Sequence, residues 1–336
     1  MTDIRKSVQS FGQPAILYSM LLLLASLLFA LLAAELLLRL KNNAMTNYDI
    51  EMWRYAKELK KASPDPALDF DHVPSRDAIL QNVDIRLNEW GLRGGPVQPL
   101  QDGERRILFL GGSITLGWGV PEDATVEAQL ENLLRAARAN VQVLNAGVGN
   151  YNTERYVTRF FKELVDLKPT DIVVHYFLRD AEALPPGGGN WFLRNSELAV
   201  TLWIAYHRLV DRQGDQALVD HYREVYRNDS PGYVRMESRL TDLSDYARVR
   251  GIRVYLAMVP DIHNLVDYKL GFVHEMMKDF ARTHGYFYID LLPALQGRPP
   301  EGLWAMPGDP HPNALGHRLM AEAIAPVIAS VGGQNR

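Results

Sequence analysis

The chain has 336 residues, 47% of them hydrophobic, enough for one large domain or two small ones with a sizeable core. Its net charge of −4 gives no overall drive toward nucleic acid. It contains no cysteine, which excludes disulfides, thiolate zinc sites and a cysteine nucleophile.

The first expected element is a membrane span. Residues 15–34 form an uncharged, leucine-rich run. As a helix rising about 1.5 Å per residue, the run reaches roughly 30 Å, the thickness of a bilayer core. Apolar character continues through Leu38 and Leu40, interrupted by Glu35 and Arg39. A cleavable signal peptide has a shorter apolar region and a small-x-small site. Residues 15–38 are therefore read as an uncleaved transmembrane signal anchor within an N-terminal segment 1–41. Arg5 and Lys6 precede the run and Arg39 and Lys41 follow it, so charge alone leaves its orientation open. Residues 42–100 read as a juxtamembrane segment and lead-in. Within it "YDIEMWRYAKELKK" (48–61) has helical spacing, closed by Ser63-Pro64.

A regular alternation then fills 101–333. Strands are expected at 107–110, 141–144, 172–177, 252–259 and 286–289. Helices are expected at 126–139, 153–167, 233–250, 265–284 and 314–330. Five apolar strand-like runs alternating with amphipathic helices predict a three-layer α/β/α domain around a five-stranded parallel sheet. An insertion at 184–232 begins "PPGGG" and carries its own helical stretch, "SELAVTLWIAYHRLV"; it is too long for an ordinary loop. It reads as a lid or partner-facing element.

The stretch "RILFLGGSITLGWGV" (106–120) follows the first strand, where α/β folds place chemistry. Three glycine-rich readings compete. A phosphate-binding loop needs a lysine where Trp118 stands. A dinucleotide fingerprint needs a third glycine where Glu122 stands, and that carboxylate repels pyrophosphate. A nucleophile elbow, G-x-S-x-G, fits until Thr115 replaces its last glycine. Each reading fails at one residue that matters.

A serine nucleophile also needs a base and an orienting acid. Near the C-terminus, "GDPHPNALGH" brings Asp309 and His311 together, separated only by Pro310, with Asn313 placed to cap the last helix. Proline stiffens this turn. The carboxylate can hold one ring nitrogen protonated and aim the other at Ser113. A lone histidine in such a turn has an ordinary structural reading; a serine after the first strand gives it a chemical one.

On these blocks the chain resembles the SGNH (GDSL-like) hydrolase superfamily, in particular its membrane-anchored, exopolysaccharide-associated members. "FLGGSITLGWGV" resembles the nucleophile block, "VLNAGVGNYNT" the second, "DIVVHYFLRDAE" the third and "DPHPNALGH" the last. "DIRLNEWGLRG" resembles the short segment that precedes the domain in anchored relatives. The resemblance covers roughly 70–330. It implies an SGNH/flavodoxin-like fold, with Ser113 as nucleophile and Asp309 and His311 as acid and base. The oxyanion hole would be formed by the N–H groups of Ser113 and Gly147, with Arg179 where the family carries asparagine. Three departures stand out: Gly112 in place of the GDS aspartate, D-x-H spacing rather than D-x-x-H, and Phe177 and Arg179 in a block that usually reads G-x-N-D.

The resemblance implies a serine esterase or O-acyltransferase acting on an extracytoplasmic, carbohydrate-type ester, with the domain in the periplasm. The alternative is a non-catalytic subunit of a membrane protein complex that keeps the fold as an interaction module. No cofactor, metal site or nucleic-acid partner is expected. His207, His221, His263, His274, His284 and His317 are scattered and read as surface or core residues. Trp191, Phe192, Trp203 and Tyr206 have three open readings: a substrate groove, the insertion's own core, or a face resting on membrane or partner.

Overall fold

The computed structural model describes residues 13–44, 47–184, 191–210, 215–307 and 309–332. The chain divides into two compact units, one within Met1–Ile50 and Gly189–Val210, the other within Glu51–Gly188 and Asp211–Arg336.

The first unit holds the helix Gln13–Ala44 and, from the insertion, the helices Trp191–Asn195 and Glu197–Val210. Residues Ala15–Asn42 are long and apolar enough to cross a membrane. Ala314–Val331 passes the same test. Its inward residues Met320, Ala321, Ile324 and Ile328 are buried in the second unit's core, which makes it a core helix.

The second unit is built on a parallel sheet. Its strands are β1 (Arg105–Gly111), β2 (Val141–Asn145), β3 (Asp171–Phe177), β4 (Arg253–Val259) and β5 (Phe287–Asp290). The sheet order is β2-β1-β3-β4-β5, with Gly111 of β1 opposite His175 of β3. Side chains alternate between the faces with period two. Leu108, Leu110, Ile172, Val174, Tyr176, Leu256 and Met258 enter one core, with the helices Thr153–Arg159, Pro231–Arg250 and Gly271–His284. Ile107, Phe109, Val173, Tyr255, Ala257 and Val259 enter the other, with Val126–Ala136 and Ala314–Gly332. Because both faces are covered, the strands carry nearly continuous apolar runs.

Most element boundaries fall within three residues of the sequence reading, and the larger differences have local causes. The helix expected over 265–284 begins at Gly271. Asn264 Oδ1 accepts from the N–H groups of Val266 and Asp267, and this side-chain turn diverts the backbone from helix. The helix expected over 153–167 is helical throughout but widens to a π-turn at Phe160–Leu164 and tightens to a 3₁₀ turn at Val165–Leu167. In the lead-in the helix is Tyr48–Glu58, and Lys60–Ala62 pairs instead as a strand with Phe70–His72. A second hairpin joins Asp77–Leu80 to Val83–Arg86. From Glu51 onward the lead-in belongs to the sheet-bearing unit.

Candidate active site

After β1 the chain passes to β2 on one side and then to β3 on the other. The crevice outside the C-terminal ends of β1 and β3 is thus the topological switch point, the usual ligand position in an open α/β sheet. Ser113 lies there, opening the single helical turn Ser113–Leu116 directly after β1.

The glycines around Ser113 answer to crowding. A Cβ on Gly111 would lie 2.0 Å from Thr115 Oγ1. One on Gly147 would lie 2.2 Å from the Leu116 nitrogen, so the second loop is pressed against the nucleophile turn. Gly117 and Gly119 have φ of 74° and 77°, the left-handed region that favours glycine. Trp118, which replaces the lysine of a phosphate loop, is buried against Tyr55 with ring centroids 5.5 Å apart.

Ser113 Oγ lies 2.7 Å from His311 Nε2, a contact that closes 198 residues of chain. His311 sits on the strand Asp309–Pro312, which pairs with Trp304–Met306. Asn313 then caps the last helix as expected: its Oδ1 accepts from the N–H groups of Leu315 and Gly316 at 3.0 and 3.1 Å. The Asp309 side chain lies outside the described residues.

The two other expected oxyanion donors are engaged elsewhere. The Gly147 N–H donates to Asn145 Oδ1 at 2.9 Å. Arg179 Nε donates to Glu182 Oε2 at 3.3 Å, and the arginine side chain is 55% exposed. Asp180, next to Arg179 in the chain, is buried. It accepts from the Phe177 N–H at 3.1 Å and from Tyr156 Oη at 3.2 Å, and burial pushes its carboxyl up to about 8. Three residues beyond Gly147, Asn150 adopts φ 64°, and the next carbonyl, Tyr151 O, would lie 3.2 Å from a Cβ on Gly112. This turn, rather than Gly147, borders the nucleophile glycine.

A buried polar layer supports the Ser113 turn. Thr115 Oγ1 bonds His175 Nδ1 at 3.1 Å. Asn145 Nδ2 donates to Thr115 O at 2.7 Å and to Glu127 Oε2 at 3.0 Å. His317 Nδ1 accepts from the Val126 N–H at 3.0 Å, joining the last helix to the helix Val126–Ala136. Burial pushes Glu127 up to about 8 and pulls His175 and His317 down to about 3, so all three are neutral near pH 7.

The lead-in supplies the residues that spacing could not identify. Arg93 is buried and donates from its guanidinium to Leu116 O, to Gly117 O and Val120 O at 2.6 Å. It thereby satisfies carbonyls at the end of the nucleophile turn. Tyr55 Oη accepts from the Gly149 N–H at 2.8 Å and donates to His72 Nε2 at 2.6 Å; His72 Nδ1 donates to Gly91 O at 2.8 Å. Lys60 Nζ donates to Gly149 O at 2.6 Å. Only "WGLRG" carried a signal, as part of the resembling segment.

No family model matches the chain, and no curated protein matches it. Among solved structures it is similar to the acetylxylan esterase of Geobacillus stearothermophilus: 17% identity and TM-score 0.44, over 69% of this chain and 97% of that one. It is also similar to a protein of Desulfitobacterium hafniense DCB-2 described as lipolytic, of the G-D-S-L family: 14% identity and TM-score 0.42, over 66% and 98%.

Proposed function

We propose that this chain is a membrane-anchored serine ester hydrolase or O-acyltransferase of SGNH type, acting on an extracytoplasmic, carbohydrate-type ester. The observation that carries the reading is the 2.7 Å contact between Ser113 Oγ and His311 Nε2 at the switch point of the sheet. It is a hydroxyl and an imidazole at the distance that proton transfer needs.

In this mechanism Ser113 Oγ attacks the ester carbonyl while its proton passes to His311 Nε2. Asp309, two residues before His311, orients the ring and stabilises the imidazolium. The tetrahedral oxyanion lies toward the N–H of Ser113, whose helical turn leaves its first amides without intrahelical partners. The backbone N–H of Asn150 is the proposed second donor. Collapse breaks the C–O bond, and the leaving alcohol takes the proton from His311. Water or a sugar hydroxyl then attacks the acyl-serine, with His311 as base, giving hydrolysis or transfer.

The test is labelling of the full-length chain by a fluorophosphonate. The expected result is one adduct on Ser113, lost in Ser113→Ala, with turnover of an aryl acetate reduced at least about 10³-fold. Absence of labelling in the folded chain would favour the second reading, a non-catalytic interaction module. The pairing of Arg179 with Glu182, away from the role of the family's asparagine, speaks for that module. An extracytoplasmic domain is tested by reporters fused after residue 45; activity of a cytoplasm-only reporter contradicts it.

A further inference from the structure

We propose that the helices Trp191–Asn195 and Glu197–Val210 form an interfacial membrane element, docked on the anchor helix by Glu35 and resting its aromatic face in the bilayer's headgroup region. The inference rests on the reading of Gln13–Ala44 as a membrane anchor.

Glu35 is the first charge after the uncharged run 15–34, so it marks the level at which a bilayer core ends. Its carboxylate caps the insertion helix. It accepts from Ser196 Oγ at 2.8 Å, from the Glu197 N–H at 3.1 Å and from the Leu198 N–H at 2.9 Å. Arg39 Nε donates to the same carboxylate at 2.8 Å, and Arg39 Nη2 donates to Asn195 O at 3.2 Å. Asn42 Nδ2 adds a bond to Glu197 Oε2 at 2.7 Å. A carboxylate at a helix N-terminus satisfies the orphan amides and is favoured by the helix dipole. These bonds fix the start of the insertion helix at the end of the apolar run.

The large hydrophobic side chains that this element exposes are Trp191, Phe192, Leu202, Trp203 and Tyr206, each 51–69% exposed. Positions 202, 203 and 206 share one helical face. The anchor exposes Leu36, Leu37 and Leu40 over the same stretch as the Glu35, Arg39 and Asn42 contacts. An exposed apolar patch of this kind marks an interaction surface. Trp and Tyr are the residues that settle at the membrane–water boundary, and an amphipathic helix lying in that plane buries its apolar face among headgroups and acyl ends. The chemistry and the level both point to lipid as the occupant.

The chain has no cysteine, so single cysteines can be placed and spin-labelled in the full-length protein. The variants are Leu24→Cys in the anchor, Leu202→Cys and Tyr206→Cys on the aromatic face, and Glu224→Cys on the exposed side of Asp215–Val225. In nanodiscs of phosphatidylcholine and phosphatidylglycerol, collision with oxygen is compared with collision with a water-soluble nickel chelate. Labels at 202 and 206 are expected to fall between the other two, favouring oxygen over nickel several-fold more than 224 and less than 24. Water-like behaviour at 202 and 206 with lipid-like behaviour at 24 overturns the inference and leaves the anchor standing. Exclusion of both reagents at 202 and 206 also overturns it, in favour of a second copy or another membrane protein. Water-like behaviour at 24 overturns the anchor reading itself. Glu35→Ala is expected to raise nickel access at 206 several-fold without changing 24; no change would remove Glu35 from the docking role.

Discussion

At the scale of single residues, the candidate site depends on groups that hold the two loops beside Ser113. Tyr55 is one of them. Its hydroxyl accepts from the Gly149 N–H and donates to His72, all in a buried setting. Tyr55→Phe keeps the ring but leaves that N–H and His72 Nε2 without partners, which costs about 1–3 kcal/mol. Chemical denaturation should show this loss together with lower kcat/KM; full stability and full activity would show that the bond does not position the loop. Arg179 is a contrasting case. With its guanidinium bonded to Glu182, Arg179→Ala should lower kcat/KM less than about threefold, whereas loss of an oxyanion donor costs about 10²–10³. A loss of that size would mean that the arginine turns into the site with substrate. Ser113 and His311 were legible because each lies in a short stretch with a local reason to exist, a glycine-lined post-strand turn and a proline-stiffened helix entrance. Tyr55 was not legible, because its role depends on a partner 94 positions away and on no local period.

At the scale of elements, the sheet was the most legible feature, since buried parallel strands leave apolar runs that stand out from their polar surroundings. Loops were read less well. The amide of Gly147 matched by resemblance, but its own turn consumes it through Asn145. Asn150, at φ 64°, is of a residue type that tolerates the left-handed backbone, but its place beside the nucleophile turn is set by the fold and not by spacing. The sheet's N-terminal edge holds a device that spacing also concealed. Asp171 opens β3 fully buried and binds Arg105 of β1 and Arg253 of β4, each with its closest contact at 2.7 Å. Thr170 Oγ1 adds a bond at 2.6 Å. One carboxylate therefore clamps three neighbouring strands. Asp171→Asn leaves two partly buried guanidinium groups without their counter-charge, and breaking such a pair costs about 3–5 kcal/mol. The expected result is a large fall in the denaturation midpoint with the m-value unchanged. A change below about 1 kcal/mol would show that solvent already screens the cluster.

At the scale of the whole molecule, buried titratable groups make stability depend on pH from both sides. His72, His175 and His317 are pulled down to about 3 by burial, from the usual 6.5. Between about 3 and 6.5 the unfolded chain binds protons that these residues refuse, so stability falls as pH drops through that window. Asp171 acts in the same direction. Burial raises its carboxyl, but the guanidinium groups of Arg105 and Arg253 outweigh burial and hold it below the usual value. Glu127 and Asp180 act oppositely. Burial pushes both up to about 8, from 4.5 and 3.8. Over that range the folded chain keeps protons that the unfolded chain has released, so stability falls as pH rises. The two effects oppose each other between about 4.5 and 6.5, the histidines and Asp171 act together below about 3.8, and from about 6.5 to 8 Glu127 and Asp180 outweigh the buried Lys60, whose ammonium burial pulls well below its usual range. The denaturation midpoint should therefore peak near pH 6 and decline on both sides. Glu127→Gln tests the alkaline limb, because an amide of the same shape has no proton to lose. The decline from pH 6.5 to 8 should be clearly shallower in that variant. A midpoint that rises through this window in the parent chain would mean that Glu127 and Asp180 are ionised in the folded state.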